Sequence, residues 1–135
     1  MAFKVEWGTE QIVYQTDAYG GSDADISGTT GVDSDVVDLA TNGYHGAMVM
    51  IKATFPASPT DDLNFSTKYS NSSTFDGDEE EQQPAGQIEK KDGGERIYTY
   101  FVGLCKYFKV HLEASGSTDS IDVEVRVTPY RLTTS

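Results

Sequence analysis

Apolar and polar residues alternate with a period of two along most of this chain. Nowhere do apolar residues recur at i, i+3, i+4 and i+7 over three turns. Period two marks strands with one face in a core and the other toward water. Phe3, Val5 and Trp7 alternate with Lys4 and Glu6, Ile12 to Tyr14 follow as a short strand, and Val36 to Ala40 forms another. The clearest strand is Tyr44 to Phe55. Ala47, Val49, Ile51, Ala53 and Phe55 face the core, His45 shares that parity near the rim, and Met48, Met50, Lys52 and Thr54 face outward. Pro56 and Pro59 end it, because proline lacks the ladder donor. Leu63, Phe65, Thr67 and Tyr69 then share one face of the next strand.

Three further strands follow in close succession: Arg96 to Gly103, Cys105 to Ala114 and Ser120 to Leu132. Phe108, Val110 and Leu112 alternate with Lys109, His111 and Glu113. Ile121, Val123, Val125 and Val127 alternate with Asp122, Glu124, Arg126 and Thr128. Ser115 to Asp119, with Gly116 inside, is a hairpin connection. Pro129 predicts an edge or a bulge in the last strand. The strand at 96–103 is bulky on both faces, Tyr98 and Tyr100 against Ile97, Thr99 and Phe101, so its core face is undecided.

Residues 71–94 are the longest stretch without a pattern, predicting a long acidic loop or an excursion with one short strand around Gln87 to Lys90. Seven to eight short strands predict an all-β fold, one antiparallel β-sandwich over residues 1–135, the jelly roll being one arrangement open to it. Residues 1–8 could extend as an arm and add a strand to a neighbouring subunit.

Charge sharpens the exclusions. The 135 residues carry 22 acidic and 10 basic side chains, a net −12, which is the wrong sign for nucleic acid or an anionic membrane surface. The longest apolar run, Gly46 to Ile51, is strand-sized, and the N-terminus has no leader-like apolar segment. The sequons at Asn64 and Asn71 read as chance matches in Ser-rich stretches. The single Cys105 excludes an internal disulfide and reads as a small buried hydrophobe.

Candidate chemistry is sparse. His45 and His111 lie too far apart for a histidine metal motif, and no nucleophile elbow or phosphate loop occurs. No catalytic residue is expected, and the chain reads as a non-enzyme. Calcium takes closely spaced carboxylates, so Asp23, Asp25, Asp33 and Asp35 are the candidate ligands for a structural ion. The alternative is a stretch kept hydrated by its aspartates. Partner-binding candidates are Phe3, Val5 and Trp7 on the arm, with Tyr98 and Tyr100. A platform of Trp7, Tyr100 and Tyr107 would suit sugar stacking.

Val37-Asp38-Leu39-Ala40, Gly43-Tyr44-His45-Gly46-Ala47, Pro59-Thr60-Asp61-Asp62-Leu63 and Ile121 to Val127 together resemble small β-sandwich structural proteins of tailed bacteriophages, over roughly residues 35–130. Each piece is short. The resemblance implies a virion protein, assembled in the host cytoplasm, that binds phage capsid or tail proteins and forms a homo-oligomer. Capsid decoration, clamping neighbouring capsid subunits, comes first, and a tail or head–tail connector component second. The alternative of another class is a carbohydrate-binding β-sandwich module. The acidic run from Asp76 to Glu81 has no counterpart in the resemblance.

Overall fold

The computed structural model describes residues 2–75 and 81–134, with the backbone alone for 81–83. The strands are β1 (Phe3–Trp7), β2 (Gln11–Gln15), β3 (Val32–Asp33), β4 (Val37–Asp38), β5 (Gly46–Thr54), β6 (Leu63–Ser70), β7 (Glu81–Ile88), β8 (Glu95–Gly103), β9 (Tyr107–Ala114) and β10 (Asp122–Thr134). A single 3-10 turn, Asp17–Tyr19, is the only helical element among the described residues. The strands form two antiparallel sheets packed as a β-sandwich. The first has the order β1-β10-β5-β8, with β2 also on β10; the second has β3-β9-β6-β7, with β4 also on β9.

The alternation in the chain becomes the inside and outside of each sheet. On the first sheet Val123, Val125 and Val127 of β10 lie opposite Ala53, Ile51 and Val49 of β5, and all six are fully buried. On the second, Phe108, Val110, Leu112 and Ala114 of β9 lie opposite Tyr69, Thr67, Phe65 and Leu63 of β6. Burying each such aliphatic or aromatic side chain contributes roughly 1.5–3 kcal/mol before chain entropy is charged against it.

Three expectations change. The unpatterned stretch 71–94 is not one loop: it holds a strand, β7, which is earlier and longer than the one expected around Gln87 to Lys90, pairs with β6 and forms the edge of the second sheet. A register shift between Phe65 and Thr67 breaks the pairing, so the residues of β7 cannot alternate cleanly. Most of the acidic run, residues 76–80, lies outside the described residues. Pro129 sits in a central strand, paired with Ala47 of β5. Its carbonyl accepts the Gly8 N–H at 2.7 Å, so the donor it lacks would have pointed at the break where β2 ends and β1 begins along β10. His45 is exposed rather than at the core rim, and its Nδ1 accepts the Leu132 N–H at 2.8 Å.

Candidate functional site: the outer face of the first sheet

Strand parity turns Phe3, Val5 and Trp7 of β1, Tyr130 and Leu132 of β10, Met48 of β5 and Ile97 and Phe101 of β8 to the outer face of the first sheet. Phe3 is 73% exposed, Phe101 59% and Trp7 52%, so this face leaves large apolar side chains in water where the core-facing side leaves almost none. Scattered exposed apolar residues are ordinary, but a contiguous group marks a contact surface.

The group has a defined shape. The Trp7 ring stands edge-on to Tyr130, centroids 5.9 Å apart at 69°, and Phe101 stands edge-on to Tyr130 from the other side, at 6.4 Å and 75°. Edge-to-face contacts satisfy the ring quadrupoles. With Val5 they enclose a cleft of about 230 Å³. Gly46 makes room for it: a Cβ there would lie 2.6 Å from the Tyr130 hydroxyl. At the same end of the sheet Leu104 is 94% exposed and holds φ at +58°, a left-handed conformation that disfavours a branched side chain.

Away from this apolar end the face is polar. Glu124, almost fully buried, takes hydrogen bonds from Arg126 Nε (2.6 Å) and Gln15 Nε2 (2.6 Å), with Lys52 Nζ at 3.9 Å. Burial pushes its carboxyl up, but those hydrogen bonds outweigh it and hold the group below its ordinary value. At the far end Asp17, Asp25 and Asp122 place carboxylate oxygens within 4.8 Å of one another. Desolvation, then hydrogen bonding to and repulsion from Asp122 and Asp17, pushes Asp25 up to about 6. These three are the described residues whose arrangement could hold a cation.

The four aspartates predicted as calcium ligands are therefore not gathered. Only Asp25 joins that cluster. Asp23 accepts the backbone N–H of Gln15 at 2.8 Å and, with Asp35, lines a shallow groove beside β2. Asp33 lies on the second sheet, where its carboxylate meets His111 Nδ1 at 2.7 Å and Lys68 Nζ at 3.0 Å. Burial would raise Asp33, but the bonds to His111 and Lys68 hold it low. Sequence reasoning missed Asp17 and Asp122 because they reach Asp25 only through the 3-10 turn and β10.

The partner candidates divide in the same way. Phe3, Val5 and Trp7 are exposed together. Tyr98 and Tyr100 lie on the inner parity instead: Tyr100 is buried and stacked on Phe65 at 4.9 Å, while Tyr98, tilted against Phe65 at 5.1 Å, stays 43% exposed. The sheet register decides this, since Tyr100 is opposite Val49 and Tyr98 opposite Ile51, both core residues. A platform of Trp7, Tyr100 and Tyr107 is thus not formed: Trp7 is on the outer face of the first sheet, Tyr100 is 8% exposed on its inner face, and Tyr107 is on the second sheet. Phe101, Tyr130 and Leu132 take those places, and the bulk on both faces of β8 was the signal for Phe101. Cys105 is half-buried and its thiol is pushed up to about 11 by desolvation, which keeps it protonated at neutral pH.

No known protein family matches this sequence, and no curated protein does. Among solved structures, the CBM22-1 xylan-binding domain of Xyn10C from Paenibacillus barcinonensis aligns with 98% of this chain and 86% of its own, at 14% identity and a TM-score of 0.40. A likeness that distant adds nothing to what the strands of this chain show directly. Among the described residues no helix is long and apolar enough to cross a membrane.

Proposed function

We propose that this chain is a non-enzymatic assembly module that docks onto other protein through the apolar end of the first sheet. The cleft between Trp7, Tyr130 and Phe101 carries the reading. Its walls are rings and an aliphatic side chain, flanked by Phe3 and Leu132, and such a surface suits the apolar anchors at the centre of a protein interface. The virion setting, capsid decoration first and a tail or connector part second, comes from the sequence resemblance alone.

The carbohydrate-binding reading draws on the same three aromatic rings. Against it, a sugar needs several hydrogen-bonding groups beside its stacking ring, and the cleft lining offers only the Tyr130 hydroxyl and the Trp7 indole N–H.

Mass spectrometry of purified phage particles encoded by the same genome is the test, with the wild-type chain and a Trp7→Ala/Phe101→Ala variant. The wild type is expected in the particle and the variant is expected to be lost from it. Particles lacking the wild-type chain would remove the virion setting. A variant retained at the wild-type level would remove the docking face, and binding on a glycan array abolished by Trp7→Ala would move the assignment to carbohydrate.

A further inference from the structure

We propose that β1 is a self-complementary edge that pairs antiparallel with β1 of a second copy, centred on Val5 and joining the first sheets of both copies about a two-fold axis. The inference rests on the docking reading above and names its partner.

Among the described strands β1 pairs with β10 alone, and all five of its residues are exposed. In an antiparallel pair the backbone groups of alternate residues point toward and away from the partner strand. Gly8 donates its N–H to Pro129, and Glu6 and Lys4 share its parity, so these residues face β10. Phe3, Val5 and Trp7 therefore present their N–H and C=O groups along the open edge. Such a row is a template for another strand, and native edges are commonly blunted by bulges, prolines or covering loops. β1 has no bulge or proline, and Phe3-Lys4-Val5-Glu6-Trp7 runs as an unbroken ladder against Thr134 to Tyr130; the edge charges it does carry, Lys4 and Glu6, repel a strand in a wrong register but complement a second β1 centred on Val5.

The side chains select one register. With Val5 opposite Val5 of the second copy, every outward backbone group finds a partner. Phe3 then lies across from Trp7 twice, and Lys4 across from Glu6 twice. Sliding by one step of the outward-facing groups puts Lys4 opposite Lys4, or Glu6 opposite Glu6, and leaves an outward residue unpaired. Cross-strand aromatic and opposite-charge pairs stabilise a sheet, and like charges directly opposite destabilise it. The five residues thus read the same under a two-fold rotation: aromatic, positive, Val, negative, aromatic. An isologous interface needs that self-complementarity. Leu132 lies beside Val5 and Tyr130 beside Trp7, so the apolar band of each copy continues across the axis.

Sedimentation equilibrium of the full chain over a range of concentrations tests this. The wild type is expected as a dimer. Val5→Pro is expected to weaken it at least tenfold with unchanged far-UV circular dichroism, because the Val5 N–H is not used by β10. Lys4→Glu and Glu6→Lys should each weaken the dimer, and an equimolar mixture of these two variants should restore it, since every 4–6 pair is then of opposite charge. A wild type that stays monomeric at millimolar concentration would overturn the proposal. So would a dimer that survives Val5→Pro, and if Phe101→Ala then dissolves it, the docking face stands while the edge pairing falls.

Discussion

A Cβ added to Gly46 would come within 2.6 Å of the Tyr130 hydroxyl, because the Tyr130 ring crosses β5 at the one position of that strand without a side chain. That vacancy lets Trp7 and Phe101, from strands on opposite sides of β10 and β5, flank a single ring. The same Cβ would lie closer still to the Val102 carbonyl oxygen, so Gly46→Ala is expected to shift the β8 backbone as well as Tyr130, close the cleft and destabilise the fold by about 1–3 kcal/mol, the usual range for overpacking. Thermal melts read the stability, and Trp7 fluorescence reads the loss of its Tyr130 contact. An unchanged emission spectrum would show that Tyr130 keeps its place.

Leu104 holds a left-handed φ of +58° and is 94% exposed, so the fold gains neither relaxed backbone nor burial from it. Leu104→Gly is expected to stabilise the protein by about 1 kcal/mol, the order of the left-handed penalty for a side chain with a Cβ. Chemical denaturation checks it. A lower midpoint for the glycine variant would mean that Leu104 makes a contact worth more than the relieved strain.

Asp61 and Asp119 cap each other's loops. Asp61, 3% exposed, accepts the backbone N–H groups of Thr118 (2.9 Å) and Asp119 (2.8 Å), while Asp119 accepts those of Thr60 (2.6 Å) and Asp61 (2.7 Å). Asp61→Ala strands two amides and is expected to cost about 2–3 kcal/mol, in line with charge-assisted bonds whose donors are left unsatisfied. A loss below half of that, measured by denaturant unfolding, would show that water replaces the carboxylate.

The acidic cluster sets a pH dependence of unusual sign. Asp25 rises from 3.8 in the unfolded chain to about 6 in the folded one, so between those values the folded state binds more protons. Stability therefore falls as pH rises through that window, and the repulsion from Asp17 and Asp122 is fully present above it. Asp33 and Glu124, whose pKa values are lowered, act oppositely: their contribution is present above their unfolded values and is lost as pH falls below them. The melting temperature is expected to peak between pH 4 and 6. Asp25→Asn should melt higher than wild type at pH 7 and level with it near pH 4. Equal melts at pH 7 would show that solvent screens the cluster.

Much of the sandwich is readable along the chain because the alternation of side chains is a local property of a strand. Val49 and Ile51, or Val123 to Val127, must share a face whatever they pack against, and a sheet buried on that side follows. The charge balance likewise sets the exterior without reference to the fold. Residue order could not decide the inner side of β8, since Tyr98 and Tyr100 balance Ile97 and Phe101 until the register with β5 turns the tyrosines onto Phe65. Of β7 it offers only a short strand around Gln87 to Lys90, overlapping the end of the observed Glu81–Ile88, because the pairing is carried by backbone bonds across a register shift rather than by an alternating face. The two clusters of the outer face, Trp7 with Phe101 and Tyr130, and Asp25 with Asp17 and Asp122, join residues far apart in sequence. Their proximity is set by which strands pair with β10 and β5 and by the Ile26–Ile121 bridge beside β10, and strand order depends on long-range pairing that no local pattern encodes.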